Sequence, residues 1–212
     1  MPYVMTIDQR GSRVHGDRVD LFLDQLRVSL NDLAPRVANS SGSPVVRGFE
    51  RTVGDEVQGV LDDARLVVDL ALAVARDGGW SVGIGAGPVD LPLPASSRAG
   101  SGTAFVLART AVEQAKSRSR SVALAVRGLD DGAGRDCEAV LVLAAAAAAR
   151  RSPAGWEVVD AMTGTDARQE DVAERLGISQ QAVSQRLRAA LWAEEKAARG
   201  AAVRLLTLAA GM

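Results

Sequence analysis

TDARQEDVAERLGISQQAVSQRLRAA, residues 165–190, reads as a complete helix-turn-helix, and with it the chain must carry a small helical unit near this end. Asp166 with Gln169 three residues later is a capping-box start, after which Val172, Ala173 and Leu176 line one face of a short helix. Gly177 ends that helix and Ile178 fills the turn. Ser179 then caps a second helix, in which Val183, Leu187 and Leu191 recur every four residues toward a core. The opposite face carries Gln180, Gln181, Ser184, Gln185 and Arg188, with Arg186 beside them, residue types that reach base edges and phosphates in a major groove. Upstream, Ser152-Pro153 opens a supporting helix with Trp156, Val159 and Met162 as its apolar positions. A plain three-helix bundle accounts for the apolar positions, but not for the Gly-Ile-Ser turn together with a Gln/Ser/Arg face.

Working outward, 212 residues at 47% hydrophobic suffice for two cores, and an aromatic content of 3% means those cores are built from Val, Leu and Ala at close spacing. One cysteine, Cys137, excludes an internal disulfide, and the start of the chain shows neither a basic n-region nor an apolar h-region, which predicts a cytoplasmic setting. The longest apolar run, 139–149, falls short of the roughly 20 residues a bilayer helix requires, so no membrane partner is expected. The net charge is −1, and from Ser152 onward seven Arg or Lys face eight Asp or Glu. Affinity for double-stranded DNA must then come from local placement of Arg168, Arg175, Arg186 and Arg188, doubled by a homodimer. The chain contains no Cys/His metal cluster, Ser-His-Asp arrangement or P-loop motif.

Before this unit the chain alternates strands and helices. Residues 3–8, YVMTID, form a strand that delivers Asp8 to its tip, followed by the turn-prone 9–12. An amphipathic helix over 17–33, capped by Asp17, is followed by a loop over 31–44. Residues 45–61 read as a β-hairpin turning at 54–56, which places a second carboxylate, Asp55, at a tight turn. A helix over 63–77, a half-buried strand over 80–85, a Pro/Gly/Ser-rich loop over 86–102, a helix over 103–117, a strand over 120–126 and a turn cluster over 129–135 complete the series. Six consecutive alanines then mark a helix over 137–151 that joins the two units. The β-α-β-β-α-β order, followed by α and β, predicts an α+β, ferredoxin-like sheet that brings Asp8 and Asp55 together across adjacent central strands. Close carboxylates can hold Mg²⁺ and, through it, a triphosphate; equally, Asp55 can merely suit a turn and Asp8 cap a loop. His15 lies in a Gly-rich loop and is expected to be exposed, Cys137 to be a small buried hydrophobe, and Lys116, Arg118 and Arg120 to form a solvated basic helix end.

Ile7-Asp8, the hairpin Gly54-Asp55-Glu56-Val57-Gln58-Gly59, Gly83-Ile84-Gly85, Ala108-Arg109 and Gly177-Ile178-Ser179-Gln180-Gln181-Ala182-Val183-Ser184 together resemble the SatD-like family of bacterial proteins over most of the chain. The amino-terminal part is in turn similar to class III nucleotidyl cyclases, whose two metal-binding aspartates match Asp8 and Asp55 by motif. The carboxy-terminal part looks like the helix-turn-helix of sigma-factor region 4. The resemblance implies a cyclase-like ligand-binding domain over 1–135, a connecting helix over 136–151 and a DNA-binding domain with a C-terminal helix over 152–212. It nominates Asp8, Asp55, Glu56, Arg51 and Arg109 as the groups that hold a nucleotide, with or without Mg²⁺. The chain departs from the cyclase pattern where a base-selecting lysine is replaced by Arg51, an asparagine by Phe105, and an acidic position by Arg98. Lost groups of that kind orient the ribose hydroxyl and stabilise charge during ring closure, so binding without turnover is expected.

Three functions follow as expectations. The first is a dimeric transcription regulator that senses a nucleotide in its cyclase-like part and reads DNA with Gln180, Gln181, Ser184 and Gln185. The second is an active Mg²⁺-dependent cyclase or transferase carrying a DNA-targeting unit. In the third, the first domain is a dimerisation module without ligand, aided by a helix over 201–210.

Overall fold

The β-branched run YVMTIDQ forms strand β1 (Tyr3–Gln9), the middle strand of a five-stranded mixed sheet of order β2-β3-β1-β4-β5. The coordinates are those of a computed structural model and describe residues 1–37, 43–117, 119–163 and 167–212. After β1, a one-turn helix α1 (Ser12–His15) leads to α2 (Val19–Val37), where the Asp17 carboxylate accepts the Val19 N–H at 2.9 Å. The hairpin of β2 (Val45–Arg51) and β3 (Glu56–Leu61) follows, then α3 (Ala64–Asp77), capped by Asp63, and β4 (Trp80–Ala86). A 3₁₀ turn at Ser97–Ala99 precedes α4 (Thr103–Ala115), β5 (Leu124–Gly128) and α5 (Asp131–Ala148). The remaining helices are α6 (Pro153–Met162), α7 (Gln169–Leu176), α8 (Gln180–Ala189) and α9 (Trp192–Ala209).

The chain is therefore α+β, with β1 antiparallel to both β3 and β4, and β4 parallel to β5 through the α4 crossover. Strand side chains alternate between faces and sort the sheet into three layers. Met5, Ile7, Trp80, Val82 and Ile84 point to one face, where α2, α3, α5 and α9 bury Phe22, Leu66, Leu70, Leu141 and Leu206 against them. Val4 and Val60 point to the other, where α4 lays Ala104, Phe105 and Ala108 on the sheet, with Ala111 and Ala115 against Ala125. Gly83 and Gly85 permit this contact: a Cβ on Gly83 would lie 2.6 Å from the Ala108 carbonyl oxygen, and one on Gly85 would collide with the backbone of Ala104 and Ala108. A second core joins α6, α7 and α8 through Val158, Val159, Val172, Val183 and Leu187.

Several expectations change. Helix α2 continues to Val37 through Pro35, so the loop expected from residue 31 begins later, and its residues 38–42 lie outside the described part of the chain. Strand β4 is buried along its whole length, because its small residues face α4 and not water. Strand β5 spans Leu124–Gly128, and the expected turn over 129–135 is the start of α5, with Asp130 accepting the Ala133 N–H at 2.9 Å. That helix is no free connector: Cys137, Leu141, Ala144 and Ala145 belong to the first core. The C-terminal helix begins at Trp192, not at 201, and returns to the same core with Ala202, Leu206, Ala209 and Ala210, while Leu208 stays 52% exposed.

Candidate functional site

The register of the central strands assembles a polar row at one end of the sheet. Asp8 lies opposite Glu56 on β3 and Ser81 on β4, so the three share the face covered by α4. The Gln9 N–H donates to the Asp55 carbonyl at 3.1 Å, which fixes the hairpin tip beside the end of β1. Asp8 and Asp55 are thus neighbours, as expected, but the Asp8 carboxylate is already engaged: the Lys116 ammonium from the end of α4 meets it at 3.0 Å, and the aspartate side chain is 14% exposed. Burial pushes the Asp8 carboxyl above its ordinary value; Lys116 works against this, and the charges of Asp55 and Glu56 reinforce it. A divalent cation needs free, ionised carboxylates, and among the described residues no three His, Cys, Asp or Glu side chains converge as a metal group. The residues therefore do not fit Mg²⁺ in this arrangement, since an internal ammonium holds the carboxylate a metal would require.

The other nominated residues divide. Arg51 turns away from the row and grips Asp17 on both oxygens, at 2.7 and 2.9 Å, with Asp20 at 3.3 Å. Glu56 accepts the Thr52 hydroxyl at 2.7 Å and lines a cleft of about 480 Å³ together with Gln58, Arg98, Phe105 and Arg109. Glu50 anchors the loop that supplies Arg98: its carboxylate accepts the Ser96 and Ser97 hydroxyls and the Arg98 N–H at 2.5, 3.0 and 2.8 Å. Those bonds hold the Glu50 carboxyl below its ordinary value. Gln58, nearly fully buried, donates to the Ser97 carbonyl at 2.8 Å and accepts the Ser97 hydroxyl through its own carbonyl at 2.9 Å. The guanidinium groups of Arg98 and Arg109 are exposed at this cleft and form no hydrogen bond or ion pair with any described residue. Sequence reasoning nominated Arg109 for this site and named Arg98 only as a departure from a pattern. Arg98 is placed by Glu50, a contact across 48 residues that no local spacing reveals.

On the helical unit, Gly177 adopts the left-handed conformation with φ 64°, and the Ser179 hydroxyl accepts the Ala182 N–H at 3.1 Å. Helix α7 starts at Gln169, with the Asp171 carboxylate accepting the Arg168 N–H at 2.7 Å; the expected cap at Asp166 lies outside the described residues. Gln180, Gln181, Gln185 and Arg188 are exposed on one side of α8, and Ser184 is half-buried between them. Arg186 differs, since its guanidinium binds Glu157 of α6 at 2.9 Å. Leu191 is also not where periodicity placed it: α8 ends before it, and the residue sits at φ 53° with 44% of its surface exposed, leaving Ala190 as the buried contact.

The two parts of the chain meet at Trp156, which packs beneath the guanidinium groups of Arg76 and Arg151 at 3.6 and 4.7 Å from its ring centroid. Arg76 also binds both oxygens of Asp160, at 2.6 and 3.0 Å. Beneath this contact, Arg151 pairs with the buried Glu195, which also binds Arg199, and Arg199 reaches Asp69 of α3 at 2.5 Å. His15 is exposed, as expected. Cys137 is fully buried; burial pushes its thiol up to about 12 and removes it from nucleophilic chemistry. No helix among the described residues is long and apolar enough to cross a membrane. No protein family, curated protein or solved structure matches the chain.

Proposed function

We propose that the protein is a sequence-specific DNA-binding regulator whose first unit senses a nucleotide-type ligand and does not turn it over. The observation that carries this reading is the free face of α8: Gln180, Gln181, Gln185 and Arg188 point outward from a Ser179-capped helix whose opposite face is buried in a three-helix core. Donor–acceptor amides and one guanidinium on such a helix suit base edges, and the helix before it braces the angle of approach. The order β-α-β-β-α-β, with β3 between β1 and β2, supports a ferredoxin-like, cyclase-like first unit followed by a helix-turn-helix. The same residues carry the proposed kinship to the SatD-like family. Arg98 and Arg109 at the cleft beside Glu56 supply anion-binding groups for the ligand, while Phe105 packed under the cleft and Lys116 on Asp8 favour binding over ring closure. A homodimer on a two-fold operator would supply the affinity that a net charge of −1 does not.

The test is selection of bound sequences from a random duplex library by the full chain, followed by titration of the selected site and a scrambled one. Gln181→Ala and Gln185→Ala should each weaken the selected site by about 1–3 kcal/mol and leave the scrambled site nearly unchanged. Equal losses on both DNAs would remove these residues from base readout, and failure to enrich any sequence would remove DNA reading from α8.

A further inference from the structure

A second cleft, of about 710 Å³, does not contain the Arg98 and Arg109 pair; it opens where β1 ends and β4 begins. Its walls are the segment after β1, the 77–79 turn and the end of α4, and they carry Arg10, Arg18 and Lys116 against Asp8 and Asp77. Both carboxylates are already in use. Lys116 meets Asp8 at 3.0 Å, and Asp77 accepts the Gly79 N–H at 3.2 Å. Arg18 is half-buried with its Nη1 close against Gly79, yet its guanidinium has no hydrogen-bond or ion partner among the described residues. Arg10 makes one long bond, 3.3 Å, to the Gly78 carbonyl.

Ser81 supplies an independent sign. Its side chain is 1% exposed and lines the same cleft, and its hydroxyl has no partner among the described residues. A buried hydroxyl left unpaired is costly, so a group that lodges against it recovers that loss. We propose that this cleft binds the phosphate of a phosphorylated small molecule, with Arg18 and Arg10 as the cationic grip, Lys116 as the third cation and Ser81 Oγ as a hydrogen-bond donor to one phosphate oxygen. Planar guanidinium groups match phosphate oxygens in pairs, and the volume leaves room for more than the phosphate itself. The site is separate from the cleft of Arg98 and Arg109 and goes beyond the sensor reading above: Asp77 and Gly78 directly follow Arg76, whose guanidinium binds Asp160 of α6, so an anion drawn against this turn acts one residue from the junction.

The experiment is calorimetric titration of the full chain with sodium pyrophosphate and with AMP, on the native protein and on Arg18→Gln, Ser81→Ala and Arg109→Gln. Saturable binding is expected, weakened about tenfold by Arg18→Gln and several-fold by Ser81→Ala, and a saturable site that depends on Arg18 should persist in Arg109→Gln, which removes only what the other cleft binds. The Arg18 guanidinium has no hydrogen-bond or ion partner among the described residues, and its backbone bond to Gln9 is untouched by the substitution, so the unfolding midpoint of its variant should match the native one. Absence of binding by both probes at millimolar concentration overturns the proposal. Binding that Arg109→Gln abolishes and Arg18→Gln leaves intact also overturns it, and would place the phosphate in the other cleft alone while leaving the sensor reading intact.

Discussion

Two carboxylates at the residue scale show opposite relations between charge and fold. Glu138 on α5 is largely buried, which works against its charge, but it accepts bonds from Arg120 Nη1 at 2.6 Å, Val126 N–H at 3.0 Å and Arg127 Nη1 at 2.7 Å. Together these outweigh burial and hold its carboxyl below the ordinary value. A depressed folded pKa adds stability above the unfolded value of about 4.3, and that stability is lost as pH falls toward the folded pKa. Glu138→Gln should therefore cost on the order of 2–3 kcal/mol at pH 7, and thermal unfolding followed downward from pH 5 should show the native protein losing stability more steeply than the variant. Parallel slopes would mean that Glu138 is not the group titrating. Asp8 has the reverse sign: with its carboxyl raised by burial, its contribution is fully present below the unfolded pKa and is lost as pH rises through the folded one. The fold thus gains from Glu138 ionised and tolerates Asp8, which fits a carboxylate kept at a cleft for a purpose other than stability. Motif spacing made Asp8 and Asp55 legible. Lys116 on Asp8 was not, because that contact spans 108 residues and depends on where α4 ends.

At the scale of elements, the sequence declared helices and strands wherever polarity followed burial, and misled where small residues meant contact. Gly132 and Gly134 read as a turn, yet both lie inside α5, and a Cβ on Gly134 would come within 3.0 Å of the Gly128 backbone nitrogen. Close approach to β5 explains at least the second glycine. The same confusion hid the outer layer: Ser81, Gly83 and Gly85 alternate with Trp80, Val82 and Ile84 as a half-solvated strand would, but the alternating face lies under α4. Composition had signalled this in general terms, through a scarcity of aromatics and an abundance of alanine, without saying which helix would pack so closely. Gly85→Ala should accordingly cost about 3 kcal/mol or more, the upper end for overpacking, because the obstructing atoms are backbone and cannot rotate aside. Chemical denaturation of the variant checks this. Gly48→Ala, on β2 with open space at its Cβ, should differ from the native protein by well under half of that loss. If the two substitutions cost the same, α4 does not sit on β4 at the distance described.

For the whole molecule, the sequence suggested two units joined by a helix, and the packing gives a more entangled chain. Helices α6, α7 and α8 have their own core, but α9 leaves them and completes the first one, burying Ala202, Leu206, Ala209 and Ala210 beside Leu141 and Leu66. No local pattern discloses this, since an amphipathic helix states that it has an apolar face and not which surface receives it. The first unit is therefore discontinuous, and the helical unit is an insertion between α5 and α9, fastened at both ends by Arg76 to Asp160 and by Arg151 to Glu195. A fragment 1–151, autonomous if the boundary at 152 were real, should lack the α9 layer and expose the α5 and α3 surfaces that it covers. Leu206 is worth up to about 3 kcal/mol of burial and the three alanines about 1 kcal/mol or less each, a loss that approaches the lower end of the total stability of an ordinary domain. The fragment should show no cooperative thermal transition by circular dichroism, and adding a peptide of residues 192–212 should restore one. A sharp transition in the fragment alone would make α9 an accessory, and its apolar face would again be free for a second copy of the chain.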